Sequence, residues 1–70
     1  MPIFVQDKEK FLEIAKRARE CRVKRLEKKG VAKIKARTKR YLYTMVVQLD
    51  KLDEVLSEIR QVCKNVVELP

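Results

Sequence analysis

From Val31 to Arg37 apolar side chains and cations alternate without a break. Ala32, Ile34 and Ala36 form one set; Lys33, Lys35 and Arg37 form the other. Successive side chains of an extended chain point to opposite faces, so this segment reads as a strand with one apolar and one cationic face. Such a strand needs a sheet to pair with and an apolar layer to cover one side of it.

Two segments are patterned to supply that layer. Phe11, Ile14, Ala15 and Ala18 recur at spacings of three and four, and Leu12 widens the stripe. That spacing predicts a helix over about Asp7–Arg19, with Asp7 as its N-cap. Leu52, Val55, Leu56, Ile59 and Val62 form a second stripe. Its helix is expected to be capped by Asp50, with Asp53 and Glu54 in the first turn, where the macrodipole favours carboxylates. Between the helices lie two further strands. Cys21, Val23 and Arg25 alternate with Arg22, Lys24 and Leu26, and Gly30, the single glycine, follows as the hairpin loop. Tyr41–Gln48 is rich in aromatic and β-branched residues, and both of its faces are apolar enough to be the buried one. Pro2–Val5 and Val66–Leu69 suit short terminal strands, the first being equally a lead-in that caps the core.

The expected fold class is therefore α+β, a single domain over residues 1–70. It runs helix, three antiparallel strands, helix, with both helices on one face of the sheet and short terminal strands as an optional addition. A chain of 70 residues hides only about 60% of the surface its unfolded form exposes, so its stability is expected to be marginal and to rise on binding a partner.

The net charge of +8 is concentrated. Between Lys16 and Arg40 thirteen basic residues meet only Glu20 and Glu27, a local net of +11. The bland reading of a charge run is a solvated surface. Here acidic residues could have interleaved and did not, so the cluster repels itself until a polyanion neutralises it. A pI near 9.8 points to nucleic acid. The cations fall on strands and a hairpin and not on a base-reading helix, which favours irregular RNA over duplex DNA. Tyr41 and Tyr43 suit base stacking or a phosphate contact, or else packing at the rim of the core.

Other chemistries are poorly served. There is no histidine, and one glycine cannot build a phosphate loop. No cofactor, catalytic residue or small-molecule substrate is expected. Cys21 and Cys63 stand alone, too few for a structural zinc site, and are expected as reduced, partly buried thiols. No apolar run approaches the ~20 residues of a membrane span. The N-terminus lacks the basic start and apolar stretch of a signal peptide, so an intracellular protein is expected.

Three blocks carry a family likeness: Phe11-Leu12-Glu13-Ile14-Ala15-Lys16-Arg17, then Val23-Lys24, then the run from Lys33-Ile34-Lys35-Ala36-Arg37 through Arg40-Tyr41-Leu42-Tyr43-Thr44 to Val47. In order and spacing they resemble the archaeal and eukaryotic large-subunit ribosomal protein family numbered thirty-eight. The Arg-Tyr-Leu-Tyr-Thr block is the most specific part. The resemblance implies a structural, non-enzymatic constituent of the cytoplasmic large ribosomal subunit, seated on ribosomal RNA, with neighbouring ribosomal proteins as further partners. It points to Lys24, Lys33, Lys35, Arg37, Arg40, Tyr41 and Tyr43 as the RNA surface. With the charge pattern, the expected site comprises Arg17, Arg22, Lys24, Arg25, Lys28, Lys29, Lys33, Lys35, Arg37, Lys39, Arg40, Tyr41 and Tyr43. The alternative is an Alu-RNA-binding protein of the signal recognition particle, which also arranges two helices around three basic strands.

Overall fold

The computed structural model describes residues 2–69. Elements follow in the order β1 (Pro2–Phe4), α1 (Lys8–Arg17), β2 (Glu20–Leu26), β3 (Val31–Arg37), β4 (Leu42–Gln48), α2 (Leu49–Val62) and β5 (Val66–Leu69), with a short 3-10 turn at Glu27–Lys29. Helix α1 begins where the Asp7 carboxylate accepts from the backbone N–H groups of Glu9 (3.0 Å) and Lys10 (3.5 Å). It ends at Ala18, whose extended backbone turns the chain into β2. Gly30 closes the β2–β3 connection at φ 69°, a conformation that costs other residues a Cβ clash. Its carbonyl accepts from the Leu49 amide (3.1 Å), tying this turn to the start of α2.

The arrangement departs from the expected three antiparallel strands between two helices. The sheet has five strands, in the order β1-β4-β3-β2-β5, and it is mixed. The hairpin pairs β2–β3 and β3–β4 are antiparallel, whereas β1 pairs with β4, and β5 with β2, in parallel. The reason is the helices themselves. Each carries the chain from one end of the sheet to the other, so the strand after a helix runs in the same direction as the strand before it. The terminal segments are thus integral edge strands laid parallel against the meander.

The core lies on one side. Cys21 and Val23 of β2, Ala32, Ile34 and Ala36 of β3, and Met45 of β4 are buried in one cluster with Phe11 and Ala15 of α1 and Leu52, Val55, Leu56 and Ile59 of α2. Cross-strand register makes the layer continuous: Val23 faces Ile34, which faces Met45. Ala32 and Ala36, fully buried on either side of Ile34, keep the central strand low enough for two helices to settle on it. The Tyr41–Gln48 ambiguity is resolved in favour of Tyr43, Met45 and Val47 as the helix-facing set. Thr44, on the opposite face, is nevertheless only 3% exposed.

Two smaller expectations are also corrected. Asp50 is not the cap of α2: the helix starts at Leu49, straight out of β4, with Gln48 as N-cap and no side-chain cap bond. Asp50 lies in the first turn, and Asp53 and Glu54 come one turn later. The cysteines are not free thiols. Cys21 and Cys63 form a disulfide that closes a sequence separation of 42, with Cα atoms 6.4 Å apart. Parallel pairing of β5 with β2 is what brings them together. Cys21 donates its amide to the Asn65 carbonyl (2.8 Å), which draws the end of α2 over β2.

Replacing Ile34, fully buried at the centre of the sheet, by Ala should cost about 2–5 kcal/mol; Lys35→Ala on the other face should not destabilise, and denaturant titration of the two variants checks the orientation of β3. Removing the disulfide by reductant should lower the unfolding free energy by about 4 kcal/mol if loop-closure entropy dominates. Paired melts with and without reductant measure this, and identical melts would remove the staple from the account.

Candidate nucleic-acid interface

The sheet face turned away from the helices carries the cations, in rows that cross the strands. Arg22 of β2 lies directly opposite Lys35 of β3, and Lys24 directly opposite Lys33. Like charges in directly opposed positions destabilise a sheet, since their Cβ atoms stand only about 4.5–5.5 Å apart. A third row sets Arg37 opposite Glu20. The Glu20 carboxylate also takes both arms of a fork from Arg22 (Nε and Nη2, each 3.3 Å). Among the described residues Lys24, Lys33, Lys35 and Arg37 form no ion pair. Lys33 is half-buried and Lys35, Lys24 and Arg37 are exposed.

The remaining predicted residues fall at the two ends of the hairpin and on the helix side. Lys28 and Lys29 sit on the 3-10 turn at one end. Lys39 and Arg40 sit on the β3–β4 turn at the other, where they line a shallow cleft with Arg17, Thr38, Tyr41 and Tyr43. Arg17 arrives there from the last turn of α1. Arg25 has the parity of Cys21 and Val23 and so belongs to the helix-covered side. There it meets Glu68 (3.7 Å), which also binds Arg60 (3.1 Å). The thirteen residues therefore fall in three places, the open sheet face, the 3-10 turn and the β3–β4 turn, and Arg25, paired with Glu68, lines a shallow cleft with Lys28 and Lys29.

Sequence reasoning did not assign Phe4 to this surface. It pairs with Thr44, in the same row as Lys35 and Arg22, and is 66% exposed on the open face. The signal was present only in topology: once β1 is a parallel edge strand, period-two alternation separates Phe4 from Ile3. Beyond the end of β1 the Gln6 side chain accepts from the Val46 amide (3.4 Å), which satisfies part of the exposed edge. Among the described residues no three metal-ligating side chains lie together, and no helix is long and apolar enough to cross a membrane.

A small mixed sheet with two helices on one side and ranks of cations on the other defines a class of small basic proteins with one electropositive sheet face. Comparison with known proteins names the family. The Ribosomal L38e protein family matches residues 1–63. Large ribosomal subunit protein eL38 of Aeropyrum pernix is 52% identical over 69 residues, covering 99% of this chain and 100% of that one. The chain belongs to this family of large-subunit ribosomal proteins, of archaeal and eukaryotic type, whose place is the cytoplasmic ribosome.

The opposed cations make a prediction for the protein alone. Lys33→Glu turns the Lys24 pair from repulsive to attractive and should raise stability by about 0.2–1 kcal/mol in low salt. The gain should fade as salt is added; a loss of stability in dilute buffer would mean that these side chains do not face one another.

Proposed function

We propose that the chain is a structural constituent of the large ribosomal subunit that holds ribosomal RNA against the open face of its sheet. The observation that carries this reading is the pair of like-charged rows, Arg22 with Lys35 and Lys24 with Lys33. The fold tolerates them at a cost in isolation, and a polyanion reverses the sign of that cost. Phosphate neutralisation by Lys24, Lys33, Lys35 and Arg37 supplies most of the affinity, with counterions released as RNA docks. Arginine forks and the exposed aromatics Phe4 and Tyr41 fix orientation. Lys28 and Lys29 at one hairpin end, and Lys39 and Arg40 at the other, extend the track beyond the sheet.

A contact with a neighbouring ribosomal protein has separate support. Asp50, Asp53 and Glu54 are all exposed on α2, so this helix carries more acid than base on its solvent face. RNA approaching α2 would meet like charge, whereas a basic protein segment would not.

The test of the RNA interface is the triple variant Lys33→Ala, Lys35→Ala, Arg37→Ala. Binding to large-subunit RNA should weaken, and the slope of log affinity against log salt should flatten by about 0.7–0.9 for each phosphate that is no longer neutralised. A slope equal to that of the unaltered chain would take these residues off the RNA.

A further inference from the structure

The cleft at the β3–β4 turn is built differently from the open sheet face. Its floor is a rigid turn. The Thr38 amide donates to the Tyr41 carbonyl (3.0 Å). The Thr38 hydroxyl donates to that same carbonyl (3.0 Å) and accepts from the Tyr41 amide (3.2 Å). Tyr41 is thereby held at its backbone by the residue three positions earlier. Tyr41 is 47% exposed, and the Tyr43 ring packs against its ring at 6.0 Å between centroids and 64° between planes. An edge-to-face neighbour of this kind restrains an aromatic ring without covering it as a stacked ring would.

Three cations line the cleft with Tyr41. Lys39 and Arg40 belong to the turn, while Arg17 is brought in by the end of α1. Among the described residues none of the three has an acidic partner. The cleft is shallow and measures about 280 Å³, just below the ~300–1,000 Å³ typical of small-molecule sites. An orientation-restrained aromatic in one cleft with three cations suits a flat base carrying phosphates on either side.

We propose that this cleft takes one unpaired nucleotide of RNA, its base stacked on Tyr41 and its flanking phosphates on Arg17 and Arg40. The assignment rests on the RNA-binding reading above and adds to it. The open sheet face meets phosphates whatever the strandedness, whereas the cleft requires a base free of its helix. In a duplex the π-faces are already stacked on one another and cannot reach a ring on a turn. Little ordering is required on binding, because the turn bonds and Tyr43 have already placed the ring.

The experiment uses the full chain and a short single-stranded RNA carrying one fluorescent purine, with the matching duplex as comparison. With the unaltered chain and with Tyr41→Phe, fluorescence should be quenched on binding, as stacking requires. Tyr41→Ala, checked for a native circular dichroism spectrum, should bind the single strand roughly 5- to 150-fold more weakly, without quenching and with the salt slope unchanged. Ultraviolet crosslinking of the unaltered chain should place the adduct at Tyr41 or Tyr43, a readout that needs no variant. Equal affinity and quenching in Tyr41→Ala, or crosslinks confined to the open sheet face, would overturn the nucleotide site and leave the sheet interface standing. Binding of duplex alone would do the same. Failure to bind either RNA would overturn both.

Discussion

Burial of Ile34 is the interaction on which the rest of this structure depends. It sits at the middle of the middle strand, is fully buried, and faces Val23 on one side and Met45 on the other. Fixing that side chain toward the helices fixes every other side chain of β3 by alternation, because a slip of one residue would exchange the two faces completely. Lys33, Lys35 and Arg37 are then obliged to point outward. The cationic surface is therefore a mechanical consequence of the core and not a separate design. The hydrophobic term that orients the strand outweighs the repulsion between the rows, since each burial of a large apolar side chain contributes ~1.5–3 kcal/mol and each cross-strand pair ~0.2–1 kcal/mol.

The sequence shows its local elements more clearly than their assembly. The alternation over Val31–Arg37, the Asp7 cap and the hairpin glycine all have the structure that their residues require, because each depends on interactions within a few positions. The α2 cap was misread because β4 runs into the helix without a break, leaving Asp50 one position inside. The parallel edges were not legible, because parallel pairing is made between segments on opposite sides of a helix. Only the direction in which that helix returns the chain decides it. Phe4 was missed as a surface residue for the same reason, and Arg25 gave no local sign that Glu68 would lie beside it.

The cysteines show how a compartment argument can be overruled by geometry. Solitary thiols forty-two positions apart offer no spacing motif, and an intracellular setting favours the reduced form. The pairing becomes possible only when β5 docks beside β2 and brings the end of α2 over Cys21. A core built from so short a chain gains from a cross-link that closes most of its length. The bond joins a strand bearing two of the cationic residues, Arg22 and Lys24, to the end of the helix packed behind it, so the same staple that supports the core also steadies the charged face.

Two surfaces of unlike character follow from one chain direction. The meander β2–β3–β4 displays charge along its length, and its β3–β4 turn displays a restrained ring at one end. Charge alone would grip any polyanion with little regard for its shape, and a ring alone would bind too weakly to hold a ribosomal component. On the RNA-binding reading proposed above, the Tyr41 turn lies at the end of the cationic track, where a strand leaving the sheet face would arrive. Arg17 reaches the same place from α1 only because that helix crosses from β1 to β2. The end of α1 is held beside that turn by the Arg19 amide, which donates to the Arg37 carbonyl (2.8 Å), and by β2 starting with Glu20 opposite Arg37; it is thus the antiparallel pairing of β2 with β3 that completes the cleft.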